Sequence, residues 1–267
     1  MIVRLIAVSM WLAVVYSAHA LEFSIGSQLK SGERLLKPAI LMEGEIREGD
    51  AARFVSFLKA NRQVVVDQML SIVPNSPGGS IVEATKLASV IESGMLGVWL
   101  PPPLSYPDRS KQARCASSCF MLVVGASSRV LANQAVGLHR PYFERSVYDS
   151  ASTAQVVNAH ERLLQEMRSW LHSRGVPSQL IEKMMLHSSQ EIYWMNDEDV
   201  DALGRVRPAV EELMIANCSF DKTLLERWTK AALAGASSAA SLAAKLDEQG
   251  KCTERVRRSA LLAFLNL

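Results

Sequence analysis

Apolar and polar positions along this chain follow two periods, and the switches between them mark its elements. Residues 39–46 (A-I-L-M-E-G-E-I) are an apolar run of strand length that stops at a turn through Glu48, Gly49 and Asp50. Asp50 is placed to cap a helix over residues 51–61, with Phe54, Val55, Phe57 and Leu58 on its apolar side. A strand is expected over residues 69–73, feeding the loop Asn75-Ser76-Pro77-Gly78-Gly79. Ile81, Ala84, Leu87, Ala88 and Ile91 then recur at helical spacing over residues 80–93, and Gly94 suits the helix end. Residues 97–100 form a short strand. Residues 116–125 are expected to be a helix, followed by strands over 129–131 and 135–138. A long amphipathic helix over 150–173 carries Val156, Val157, Leu163, Leu164, Met167, Trp170 and Leu171 on one face. After Gly175-Val176-Pro177 come a helix over 179–186 and a strand over 192–195. Asn196 then caps a short helix that ends at Gly204.

This alternation of strand and helix predicts an α/β fold with a parallel sheet core and crossover helices. Ligands of such sheets bind beyond the carboxyl ends of the strands. Two stretches stand outside the pattern. Residues 21–37 are polar and mixed and read as a loose arm. Residues 101–112 open with three prolines and cannot form a regular helix, so they are either a lid or a surface excursion.

Composition changes at Pro208. Residues 231–246 are rich in Ala and Ser and helical by propensity, 251–258 are basic, and 261–267 are apolar. The chain of 267 residues therefore divides into a leader over 1–20, a main domain over 21–207 and a helical appendage over 208–267. The leader has the form of a secretory signal: Arg4, an apolar core over 5–15, and the small-x-small site Ala18-His19-Ala20 before Leu21. Its apolar run falls short of the roughly 20 residues a membrane span needs, and no later run qualifies. The expected location is the periplasm, with no membrane attachment after signal cleavage. A net charge of +2 with mixed signs argues against a nucleic-acid partner.

Export changes the reading of the four cysteines, since an oxidising compartment favours disulfides. Cys218 and Cys252 would staple the appendage. Cys115 and Cys119 are either bridged at the start of a helix or packed as buried thiols. The spacing offers no zinc-like set, so neither metal nor cofactor is expected.

Chemistry concentrates in three segments: N-S-P-G-G-S over 75–80, C-A-S-S-C over 115–119 and G-L-H-R-P over 137–141. A serine hydroxyl needs a base to take its proton, and the oxyanion it generates needs fixed N–H donors. These three motifs, in this order, resemble those of the ClpP-type serine peptidases of the ClpP/crotonase superfamily, in particular an exported ClpP-like branch with a C-A-S-x-C turn. The resemblance spans residues 39–206. It implies repeated β-β-α units around the parallel sheet and Ser117 as nucleophile, with Ser118 the competing register. It also implies His139 as general base and an oxyanion hole from the N–H groups of Gly78 and Ser118, with Gly79 shaping the turn. Arg140 replaces the family's glutamine after the histidine. The aspartate that family members carry before the late strand has no counterpart here. Glu191 is the nearest acid, so the site is either a Ser–His dyad or uses Glu191. His160, His172 and His187 receive no role. The function expected is that of a serine peptidase acting on a peptide or protein substrate and self-associating into a homo-oligomer. The alternative is a non-catalytic binding or scaffold protein on the same fold.

Overall fold

The computed structural model describes residues 20–26, 30–31, 34–35, 38–102, 112–143 and 145–267. The apolar run after residue 38 forms β4 (Ala39–Glu43). It pairs in parallel with β5 (Ile72–Asn75), which pairs with β6 (Val98–Leu100), and that with β8 (Arg129–Leu131). β1 (Glu22–Gly26) completes the five-stranded sheet, antiparallel to β4. The stretch expected to be a loose arm is thus in part an edge strand. Leu21 is fully buried, and the ring of Phe23 packs against Phe54 and Phe57. β2 (Lys30–Ser31) and β3 (Arg34–Leu35) pair with each other.

Helices cross over between the parallel strands. α1 (Asp50–Ala60) begins one residue earlier than expected, because its N-cap is Gly49 at φ +89° and not Asp50. The buried Asp50 carboxylate instead accepts the Arg47 N–H at 2.7 Å and pairs with Arg53. The Val64-Val65-Val66 run, where no element was expected, belongs to α2 (Arg62–Gln68), which ends on left-handed Met69. Two of those valines bury against the core, which outweighs the weak helix preference of β-branched residues. α3 (Ile81–Ser93) matches the expected helix and is capped by Ser80, whose hydroxyl accepts the Glu83 N–H. The Glu83 carboxylate accepts the Ala51 N–H at 2.8 Å, tying α3 to the start of α1. Leu87, Ala88 and Ile91 of α3 are fully buried. Each large aliphatic side chain of this kind contributes about 1.5–3 kcal/mol on burial.

A second sheet stands at the carboxyl end of β5. β7 (Cys115–Ala116) runs parallel to β9 (Val136–Leu138), and β10 (Tyr193–Trp194) lies antiparallel on the far side of β9. The helix expected over 116–125 is divided into a 3-10 turn, Ser117–Cys119, and α4 (Phe120–Gly125), wholly buried against α3. The remaining helices are α5 (Arg145–Ser150), α6 (Thr153–His172), α7 (Ser178–Leu186), α8 (Asp197–Leu203), α9 (Pro208–Cys218), α10 (Leu224–Leu233) and α11 (Ala239–Leu265). Capping boxes at Ser152/Gln155 and Asn196/Asp199 start α6 and α8. The C-terminal helices are not detached from the rest, because Leu261 and Leu265 of α11 enter the main core. Residues 1–19 of the leader and 103–111 of the proline-rich segment lie outside the described residues. Among the described residues no helix is long and apolar enough to cross a membrane.

Candidate active site

The register of the second sheet brings the three motifs to one edge. Beyond the end of β5, Ser76 forms a parallel bridge with Cys115: the Ser76 N–H donates to Arg114 O and the Ala116 N–H to Ser76 O, at 2.8 and 2.9 Å. Cys115 and Ala116 pair in turn with Val136 and Gly137. Three parallel segments therefore leave the sheet side by side, and the next residues along them are Gly78-Gly79, Ser117-Ser118 and Leu138-His139.

At the end of β7 the chain turns sharply. Ser117 has φ +58°, a left-handed conformation that non-glycine residues rarely adopt, and it lies between an extended Ala116 and right-handed turn residues. The turn is closed by a disulfide between Cys115 and Cys119, with Cα atoms 5.2 Å apart. The bridged alternative thus holds for this pair. A second disulfide joins Cys218 to Cys252. Two bridges fit an oxidising, extracellular compartment.

Gly78 packs directly on the serine. A Cβ built on Gly78 would stand 2.6 Å from Ser117 Cβ and 3.0 Å from Ser117 Oγ, so only glycine permits this approach. Gly79 is equally constrained: a Cβ there would sit 2.1 Å from Ile46 O. Ile46 makes both of its ladder hydrogen bonds across Gly79, donating to Gly78 O at 2.7 Å and accepting from Ser80 N at 2.8 Å. By ladder geometry the N–H and C=O of Gly79 point away from Ile46, toward the serine turn. The Gly79 carbonyl accepts the Ser118 hydroxyl at 3.1 Å. Ser118 is thus buried and engaged, while Ser117 is partly exposed with no hydrogen bond to its hydroxyl among the described residues. The Gly78 N–H is taken by Ser76 Oγ at 3.1 Å.

His139 is 7 % exposed, and its Nδ1 lies 2.9 Å from Arg140 O. A carbonyl only accepts, so in the neutral ring Nδ1 carries the proton and Nε2 the lone pair. The ring also packs against Tyr142, at 5.7 Å between centroids. No hydrogen bond joins His139 to Ser117 in this structure. Glu191 is exposed, and no hydrogen bond or ion pair links its carboxylate to His139 among the described residues. The pairing of β9 with β10 ends at Leu138 and Tyr193, and beyond it the Arg140 N–H donates to His187 O at 2.9 Å, so Glu191 lies outside the ladder.

Beside this edge is a polar knot that the sequence reading missed. Lys183 of α7 donates to Tyr193 Oη at 3.1 Å and to Asp199 Oδ1 at 2.6 Å, and Tyr193 donates to Asp199 Oδ2 at 2.5 Å. Burial raises the Asp199 carboxyl, but hydrogen bonds from Lys183, Tyr193 and the Asn196 N–H outweigh it and hold the group below its ordinary value. The same carboxylate holds Lys183 above its ordinary value. A lysine so held is a structural cation and not a base. Its signal in sequence is slight, because Lys183, Tyr193 and Asp199 occupy three different elements.

A cleft of about 780 Å³ lies elsewhere, around the Cys218–Cys252 disulfide, lined by charges of both signs such as Asp221, Arg227 and Lys251. It shares no residue with the serine turn. Among the described residues no group of His, Cys, Asp and Glu could hold a metal ion.

No protein-family model and no curated protein matches the chain. Among solved structures it is similar to the 1510-N membrane-bound stomatin-specific protease, solved as a mutant. The identity is 14 %, the alignment covers 64 % of this chain and 77 % of that one, and the TM-score is 0.38. A likeness this distant assigns no residue role.

Proposed function

We propose that the protein is an exported serine hydrolase of the peptidase type, with Ser117 as nucleophile and His139 as general base. The observation that carries this reading is the strained Ser117, set on a strand-to-helix turn and pressed against Gly78 at the strand edge from which His139 emerges. A nucleophile held in this way projects its hydroxyl clear of the sheet. Strain of this kind costs about 1–3 kcal/mol and persists where surrounding structure over-determines it. The disulfide and Gly78 supply that surround.

In the reaction, Ser117 Oγ passes its proton to His139 Nε2 as it bonds to the substrate carbonyl carbon. The imidazolium returns the proton to the leaving amine, and water repeats the sequence to release the acyl group. The oxyanion is received by the N–H of Ser118, in a first turn with no intrahelical acceptor, and by the N–H of Gly79. This assigns the second donor to Gly79, because Gly78 N–H is committed to Ser76. The Arg140 carbonyl sets the imidazole tautomer, the role a triad acid otherwise fills, so the site works as a dyad without Glu191. The substrate is a peptide or protein in the periplasm, and the chain self-associates as its resemblance to ClpP-type peptidases implies.

One observation favours the second reading, a binding or scaffold protein on the same fold: Ser117 and His139 are not hydrogen-bonded. Labelling with a fluorophosphonate probe decides between them. An adduct mapped to Ser117, absent from Ser117→Ala and His139→Ala, supports the hydrolase. The absence of any adduct in folded, disulfide-intact protein overturns it.

A further inference from the structure

Outside the serine turn, the five-stranded sheet buries a charge that no described residue balances. Arg129 opens β8 and is 2 % exposed. Its backbone N–H donates to Arg205 O, but Nε, Nη1 and Nη2 have no hydrogen-bond partner among the described residues. Five buried N–H donors of a guanidinium are thus aimed into the protein with nothing to receive them. Burial, with a smaller push from Arg207, lowers the group to about 10, so it keeps its proton at neutral pH.

The surroundings add positive charge. Arg207 is nearly buried as well, and its Nη1 donates to Glu92 at 2.6 Å while its Nε is unpartnered. Arg174 shares the same Glu92 carboxylate at 3.3 Å, leaving its own Nε unpartnered. Arg257 donates to Met95 O at 3.1 Å and brings an unpartnered Nη2 up to Gly97, beside Ser128. Glu92 is already divided between two arginines, and Glu254, which acts on Arg257 along α11, is bonded to Arg258. Among the described residues no carboxylate pairs with Arg129. An isolated buried charge is among the costliest features a fold can carry, and proteins meet it by pairing.

We propose that Arg129 and Arg207 form a binding site for a small inorganic anion, a halide or a tetrahedral oxyanion. The guanidinium of Arg129 supplies a planar fork of donors, the geometry that suits such an ion. Arg129 also lines a cleft of about 280 Å³ beneath α8, but Asp197 and Asp201 line that cleft too and would repel an anion. The anion therefore sits on the Arg207 side. The site joins β8 to the segment that leads into α9, so occupancy stabilises the attachment of the C-terminal helices.

Two measurements test this. Crystals of the purified protein soaked in sodium bromide, and separately grown with phosphate, are examined at the Arg129 guanidinium. The expected result is an anomalous bromide peak, or oxyanion density, within hydrogen-bond distance of Arg129 Nη1 or Nη2. Bromide alone identifies a halide site and phosphate alone an oxyanion site, and both support the proposal. Ordered waters in both crystals overturn it. In parallel, thermal unfolding is followed while bromide or phosphate replaces gluconate at fixed ionic strength. A saturable rise in Tm is expected in the wild type and is lost in Arg129→Met. If that variant does not fold, Arg207→Met serves in its place. The same salt response in wild type and variant overturns the proposal.

Discussion

Replacing Gly79 by alanine tests how the loop over the serine turn is held, and Gly49→Ala supplies the control. Both glycines have positive φ, +139° and +89°. At Gly49 an added Cβ meets nothing within 4 Å, so the variant reports backbone strain alone, about 1–2 kcal/mol. At Gly79 the Cβ would stand 2.1 Å from the carbonyl oxygen of Ile46 and 2.9 Å from its nitrogen. Those are backbone atoms of the bridge, so they cannot rotate aside. Relief requires breaking the two hydrogen bonds that Ile46 makes to Gly78 O and Ser80 N, worth about 1 kcal/mol each. With strain of about 1–3 kcal/mol at a φ that suits glycine only, the expected loss is about 3–5 kcal/mol. At about 2–4 °C per kcal/mol for a chain of this size, Tm should fall by roughly 10 °C, against a few degrees for Gly49→Ala. Urea unfolding gives the free energy, and fluorophosphonate labelling reports the site in the same samples. If Gly79→Ala costs no more than Gly49→Ala and labels at the wild-type rate, the Ile46 bridge does not position the loop.

Further outcomes follow from the same geometry. Glu191→Gln should keep the wild-type rate of fluorophosphonate labelling while His139→Ala loses it, because Arg140 O and not Glu191 orients the ring. Cys119→Ala opens the small loop around Ser117, and labelling should slow at least tenfold with the fold retained by circular dichroism. Cys218→Ser with Cys252→Ser opens a loop with a sequence separation of 34, and urea unfolding should show a loss of about 4 kcal/mol. The Asp199 carboxyl lies below its ordinary value in the folded state, so its contribution is complete above the unfolded value near 4 and disappears as pH falls through the folded value. Wild type should therefore lose its stability advantage over Asp199→Asn as acid is added below about pH 4, measured by urea unfolding across pH.

The elements legible in sequence were those whose burial pattern is local. The periodic apolar face of α3, the Asn196 cap of α8 and the Pro-Gly-Gly turn each need only neighbouring residues to define them. Errors came where distant packing decided. Residues 22–26 read as polar coil, yet β4 offers an open edge, and Phe23 covers Phe54 and Phe57. No element was expected at Val64, Val65 and Val66, yet Val65 and Val66 bury into the core as part of α2. Asp50 looks like a cap, but the left-handed Gly49 already ends the turn, and the carboxylate turns back to Arg47 instead.

For the candidate site, the sequence alone supplied the residue types and their order: a Gly-Gly turn, a small-residue serine turn between two cysteines, and a histidine after a short strand. It could not choose between Ser117 and Ser118, because both fit the motif. Their surroundings differ: Ser118 is buried on the Gly79 carbonyl, while Ser117 takes the left-handed turn against Gly78. Nor could it pair Nδ1 of His139 with a backbone carbonyl, or show that Arg129 is buried among other arginines. Periodicity records which side of an element faces the core. Which element lies across from it, and whether a charge there finds a partner, is fixed only when strands far apart in sequence come into register.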